Sequence, residues 1–188
     1  MARATSKRLI SLVLGTIIAT AIAPPPRAQA PSTAVFDIPQ TGVSFSTGDT
    51  WTQNGQTMRL YGVQSCIRAT SFTNQAGVKT DCGEASLAYL AALVRDARPQ
   101  CAPVAQVGQQ PAILVVCSAH VGATTLDLGT ILITEGFAFA AFSNDAKPVY
   151  MPYLIAELVA KKNKAGLWAA PDMPHPNLIL FGALKGEK

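Results

Sequence analysis

The chain has 188 residues, with 15 Lys and Arg against 11 Asp and Glu, a length that suits one domain or at most two small ones. The first 30 residues hold four of the bases (Arg3, Lys7, Arg8, Arg27) and no acid, so residues 31–188 balance at 11 bases and 11 acids. That neutrality gives no support for a nonspecific nucleic-acid binder, which draws most of its affinity from neutralising phosphates with a basic surface.

Residues 1–30 read as a signal peptide. Arg3, Lys7 and Arg8 form a basic start, Leu9 to Ala23 an apolar run, and Ala28-Gln29-Ala30 an A-x-A cleavage site. The apolar run is short for a membrane span. Pro31 after the cut suits signal peptidases poorly, which leaves the cleavage position open and an uncleaved anchor as the less favoured reading. Residues 31–188 can bury roughly two-thirds of their unfolded surface. They contain no second apolar stretch long enough to span a membrane, so no stable span is expected after cleavage.

Strands are expected at Ala34–Ile38 and Val43–Ser46. Two β-rich runs between Asp49 and Val63 flank Asn54-Gly55, a hairpin signal because both residues tolerate positive φ. Residues 65–82 show no period and read as a loop. Leu87, Leu90, Ala91 and Val94 predict a helix over Glu84–Arg95. Cys101–Val107 and Ile113–Ser118 predict a second hairpin with its turn at Gly108–Pro111, and His120–Thr125 another turn. Asp127 can cap a helix that ends at Glu135-Gly136, and Phe137–Phe142 is a short strand. Pro152 suits the first turn of a last helix whose buried face is expected to be Leu154, Ile155, Leu158 and Val159, stopped by Gly166. Prolines at 171, 174 and 176 predict an extended C-terminal tail over 171–188. The order predicts an α+β domain, a small closed β-barrel carrying helices, such as an OB-fold.

Four cysteines allow three pairings. Cys66–Cys82 and Cys101–Cys117 are favoured, since each closes a loop of the same length and would stabilise by about 3 kcal/mol. A zinc site is the lesser alternative: no C-x-x-C pair exists, and His120 and His175 are the only histidines.

Three segments resemble the thermonuclease (staphylococcal nuclease-like) family. Gly48-Asp49-Thr50, followed by Arg59-Leu60-Tyr61-Gly62-Val63, resembles its "GDT…RLxGID" stretch. Asp127-Leu128 through Gly136-Phe137-Ala138 resembles "DLN…L…GxA", and Ala156-Glu157 to Lys164-Ala165-Gly166-Leu167-Trp168 resembles its final "GLW" helix. The resemblance covers about residues 34–170 and implies an OB-fold five-stranded β-barrel with three helices over 31–170. It also implies calcium-dependent cleavage of phosphodiesters, which needs carboxylate oxygens for the cation, a base for water and two arginines for phosphate charge.

Carried over residue by residue, the first metal aspartate falls on Asp49 and the first phosphate-binding arginine on Arg59. The second metal aspartate falls on Gln64, a neutral and poorer ligand. The general-base glutamate falls on Ile67, and the second arginine near Pro111 or Ala112, where no base stands. Arg68, Lys79, Asp81 and Glu84 lie in or beside the 64–82 loop and could fold back into the site. Asp49 could equally be a turn-former, and an Asp49–Arg59 ion pair would account for both residues without a ligand. Lys161, Lys162 and Lys164 read as the wet face of the last helix, and Trp168 with Phe137, Phe139 and Phe142 as core. Trp51, Tyr61, Tyr150 and Tyr153 are candidates for surface contacts, and His120 and His175 read as exposed.

The expectation is therefore an exported, periplasmic or secreted module that has lost phosphodiesterase activity, needs no cofactor and binds a polysaccharide or an envelope protein. OB-folds bind oligosaccharides, and some exported proteins resembling this family are named for exopolysaccharide (succinoglycan-type) production. The alternatives are a weak or altered secreted nuclease using calcium on nucleic acid, and a purely structural envelope domain.

Overall fold

A computed structural model describes residues 34–104 and 112–186. The signal-peptide reading of 1–30 and the turn expected at Gly108–Pro111 lie outside the described residues.

The chain is mixed α+β, a curled, open half-barrel sheet with four α-helices, consistent with an OB-like fold. One side of it is a meander of β2 (Val43–Thr47), β3 (Thr50–Gln53) and β4 (Gln56–Leu60). Asn54 and Gly55 both take positive φ, so the expected two-residue turn forms and pairs Gln53 with Gln56 and Thr50 with Arg59. β4 then lies parallel to the start of the long β9 (Ile113–Val121). β9 pairs in turn with β8 (Gln100–Pro103) and β10 (Thr124–Asp127), and β8 pairs with the short β1 (Phe36–Asp37). A two-stranded sheet of β5 (Val63–Ser65) and β11 (Ala138–Ala140) carries the chain past the end of β4.

The segment read as a loop contains a hairpin, β6 (Ser71–Thr73) and β7 (Lys79–Asp81). Asn74 makes it: its Oδ1 accepts the Ala76 and Val78 N–H groups, and Gly77 takes φ +75°. Such a side-chain-built turn has no hydrophobic period to betray it. Asp81 then caps α1 (Cys82–Ala97) by accepting the Glu84 N–H at 2.8 Å. Asp127 caps α2 (Leu128–Thr134) in the same way through Thr130.

Both disulfides form, Cys66–Cys82 and Cys101–Cys117. Cys101 and Cys117 are directly opposed on β8 and β9, while Cys66–Cys82 ties the end of β5 to the first residue of α1. Two disulfides suit a non-cytoplasmic, oxidising location. No helix among the described residues is long and apolar enough to cross a membrane. The main core gathers Trp51, Leu60, Val63, Leu90, Val115, Leu128 and Leu132 between the sheet, α1 and α2; a second cluster forms around Phe72, Phe139 and Leu167.

Two expectations need correction here. The tail is not extended throughout: Pro176–Gly186 forms a fourth helix, α4, with Pro176 at its first position. α4 is held by buried Asn177, whose Nδ2 donates to the Ala140 carbonyl, and by Phe181 set edge-on against Phe142. The face of α3 (Met151–Lys162) is also reversed. Tyr153, Glu157 and Ala160 are buried, while Ile155, Leu158 and Val159 are exposed and Leu154 is partly buried. Polar bonding decided it: Tyr153 donates to Asp127 at 2.7 Å, and the Glu157 Oε2 accepts the Ala140 N–H at 2.6 Å. Glu157 and Asn177 thereby satisfy both outward backbone groups of Ala140 on β11.

Candidate functional site

Asp49 follows Gly48 in the tight turn between β2 and β3. A side chain on Gly48 would come within 2.6 Å of Ser86 Cβ on α1, so this backbone approach requires glycine. The turn aims the Asp49 carboxylate inward, where the residue is 2% exposed. Its Oδ1 accepts the hydroxyls of Thr47 at 2.5 Å and Thr50 at 2.9 Å. Its Oδ2 accepts Arg59 Nε at 3.2 Å and the Ser65 N–H at 3.4 Å, with Arg59 Nη2 at an ion-pair distance of 3.2 Å. Arg59 reaches it because the hairpin register sets Arg59 opposite Thr50.

Gln64 joins the same cluster. Its Oε1 accepts Arg59 Nη2 at 3.1 Å, and its Nε2 donates to the Ser65 carbonyl at 2.9 Å. Asp49, Arg59 and Gln64, singled out from the sequence, are thus brought together. The ion pair that needs no ligand is among the bonds that hold them. Thr47, Thr50 and the Ser65 N–H complete the cluster; Thr50 was noted only as part of the Gly48-Asp49-Thr50 stretch, and Thr47 and Ser65 carried no sequence signal. Ser86, fully buried, was also missed: it accepts the Cys66 N–H at 3.3 Å and donates to the Phe137 carbonyl at 2.6 Å, fixing the end of β5 against α1 and the lead-in to β11.

The acids of the 64–82 region are engaged elsewhere. Glu84 pairs with Arg68 at 2.8 Å. The Asp81 carboxylate accepts Glu84 N–H and Ala69 N–H, the first of which is the main cause holding its carboxyl below the ordinary value. Ile67 contributes its carbonyl to Thr70 Oγ1 at 2.6 Å. Ala112 is a small apolar wall residue, and Pro111 lies outside the described residues. Among the described residues no three His, Cys, Asp or Glu side chains gather as a metal-ligand group.

Arg59 also lines a cavity of about 350 Å3, with Tyr61, Gln64, Leu114 and Phe142 among the other walls. Its side chain is 42% exposed, and among the described residues it is the one charged residue in those walls. A second cavity of about 270 Å3 shares Gln64 and Phe142 and continues to Asn144, Asn177 and Phe181. Both oxygens of Asp49 already accept at least two donors each, which leaves a hard cation little lone-pair density. What the arrangement offers is a guanidinium presented from a fixed base into a cleft of amide and aromatic groups, suited to an anionic group on a larger ligand.

Other residues named from the sequence are placed differently. Trp51 is fully buried and its indole N–H donates to Gln53, and Tyr153 is buried under Asp127, its hydroxyl pushed up by burial and by that carboxylate. Tyr61 is half-buried on the cavity wall, and Tyr150 is exposed. His175 is not exposed: it packs between Phe139 and Trp168 with Nε2 2.9 Å from Glu157. Compared with protein-family models and with curated proteins, the chain matches none.

Proposed function

We propose that this chain is a divergent, exported thermonuclease-like domain that has lost calcium-dependent phosphodiesterase activity and acts as a binding or accessory module. In this reading β2, β3, β4, β9 and β8 correspond to the five-stranded barrel, α1, α2 and α3 to the three helices, and α4 is an addition. The observation that carries it is the saturated Asp49 carboxylate: its partners are Thr47, Thr50, Arg59 and Ser65, and no second carboxylate joins them among the described residues. A calcium hydrolase needs free acidic oxygens and a base, and Gln64 and Ile67 supply neither. The ligand class that suits Arg59 and the adjoining amide and aromatic walls is an acidic polysaccharide, in line with a role in exopolysaccharide production.

The second reading, a weak or altered nuclease, is favoured by one feature, the retained contact of Asp49 with Arg59. Plasmid digestion with calcium separates the two. No nicking by wild type is expected; nicking by wild type but not by Asp49→Ala rejects the module reading. Binding to a soluble polyuronate is then measured by calorimetry. Arg59→Gln, checked for folding by circular dichroism, should weaken it by roughly tenfold or more, the value of a charge-assisted hydrogen bond.

A further inference from the structure

Helix α3 turns its most apolar stripe to solvent. Met151, Ile155, Leu158 and Val159 are 54%, 58%, 58% and 47% exposed, opposite the buried Tyr153, Glu157 and Ala160. At about 100° per residue these four side chains fall in one sector of the helix. Scattered exposed hydrophobics are ordinary, but a contiguous stripe marks a contact surface.

The rim of the stripe says what it contacts. Lys161 and Lys162 in the last turn and Lys164 just beyond are exposed. The single acid of the helix, Glu157, is turned inward to Ala140 and His175, and the first turn has none. The outward surface is therefore apolar and cationic. A second copy of the helix fits it badly. Packed antiparallel, the lysines meet the positive N-terminal end of the partner helix; packed parallel, they meet each other. An anionic lipid surface supplies both complements, headgroup charge for the lysines and the acyl boundary for the stripe. With 12 residues, α3 is about 18 Å long, short of the roughly 30 Å of a bilayer core, so it lies along such a surface.

We propose that α3 docks the protein onto an anionic lipid surface through Met151, Ile155, Leu158 and Val159, with Lys161, Lys162 and Lys164 on the headgroups. This does not depend on what the Arg59 cavity binds.

A local probe tests it in the full chain and separates this face from any binding by the apolar run at residues 9–23. The four native cysteines are disulfide-bonded, so Leu158→Cys can be labelled with an NBD fluorophore. On vesicles of equal phosphatidylcholine and phosphatidylglycerol, its emission should shift blue and brighten. Phosphatidylcholine alone should give little change, and Lys161→Glu with Lys162→Glu should weaken the response by tenfold or more. The same label at Ala88→Cys, on the exposed side of α1, should stay unshifted. The proposal is overturned by no shift at position 158, by equal shifts at 158 and 88, or by indifference to the lysine reversals. A shift in buffer alone that rises with protein concentration overturns it too, by showing that a second copy covers the stripe.

Discussion

Asp49 behaves as the hub of its own turn. It holds two threonine hydroxyls on one oxygen, and Arg59 with a β5 amide on the other. Asp49→Asn keeps the shape but removes the charge and replaces one acceptor oxygen by a donor. The amide nitrogen must then face the hydroxyls or the Arg59 and Ser65 donors, and Arg59 loses its counter-charge. A loss of about 2 kcal/mol is expected, read as a lower urea midpoint at unchanged slope. A fall under ~0.5 kcal/mol would mean that this half-buried pair is not what orders the turn. The pair was one reading of the sequence, where a resemblance singled out both residues; the structure adds its physical reason, since Asn54-Gly55 fixes the hairpin register and the register sets Arg59 beside the Asp49 turn. The sites of Trp51, Tyr153 and His175 were not legible. An aromatic or imidazole ring has an apolar body and a polar tip, and which one meets water depends on partners distant in sequence. For His175 the partner is Glu157, 18 positions away.

At the scale of elements, polar side chains set the limits that apolar periodicity left open. The expected helices at Glu84–Arg95 and after Asp127 recur as α1 and α2, the first from its apolar period and the second from its Asp127 cap and Gly136 stop. The β6–β7 hairpin and the inner face of α3 escaped, since Asn74, Tyr153 and Glu157 determine them by hydrogen bonds that hydropathy does not register. Two glycines, Gly136 and Gly166, have a plain reason. Gly136 has φ +77°, and a side chain there would come within 2.1 Å of the Ala165 carbonyl oxygen. At Gly166, φ +50°, it would come within 2.3 Å of that of Glu135. The loop after α2 and the start of the short 3-10 helix Gly166–Ala169 thus cross backbone on backbone. The cap of α1 gives a testable pH dependence. Asp81→Ala should cost about 1 kcal/mol at neutral pH. The Asp81 carboxyl is held below its ordinary 3.8, chiefly by the Glu84 N–H, so its contribution is complete above that value and fades as pH falls through the lower folded value. Urea unfolding of wild type and variant should differ by a constant amount from pH 5 upward and by a smaller amount in acid, where the protonated carboxyl caps more weakly; a gap that does not narrow in acid contradicts the charge of the cap as its source.

At the scale of the whole chain, the α+β class and the strand–helix alternation follow from pattern, whereas the open edge of the sheet and the fourth helix depend on tertiary fit. α4 has prolines before it and at its first position, and it becomes a helix because Asn177 and Phe181 find Ala140 and Phe142 to dock on. The two disulfides test how the molecule divides stability from site geometry. Both span 16 positions, so loop entropy alone gives each about 3 kcal/mol, a large share of the ~5–15 kcal/mol typical of a domain. Their surroundings differ. Cys101 and Cys117 already face each other across a β-ladder, remote in sequence from Asp49. Cys66 follows Ser65, whose N–H reaches the Asp49 carboxylate, and Cys82 begins the helix whose Ser86 holds Cys66. Replacing either pair by alanine should lower the urea midpoint similarly. Only loss of Cys66–Cys82 should also loosen the Asp49–Arg59–Gln64 cluster and weaken polyuronate binding at a temperature where both variants remain folded. Equal weakening by both pairs would locate the binding surface away from β5, and with it away from Arg59.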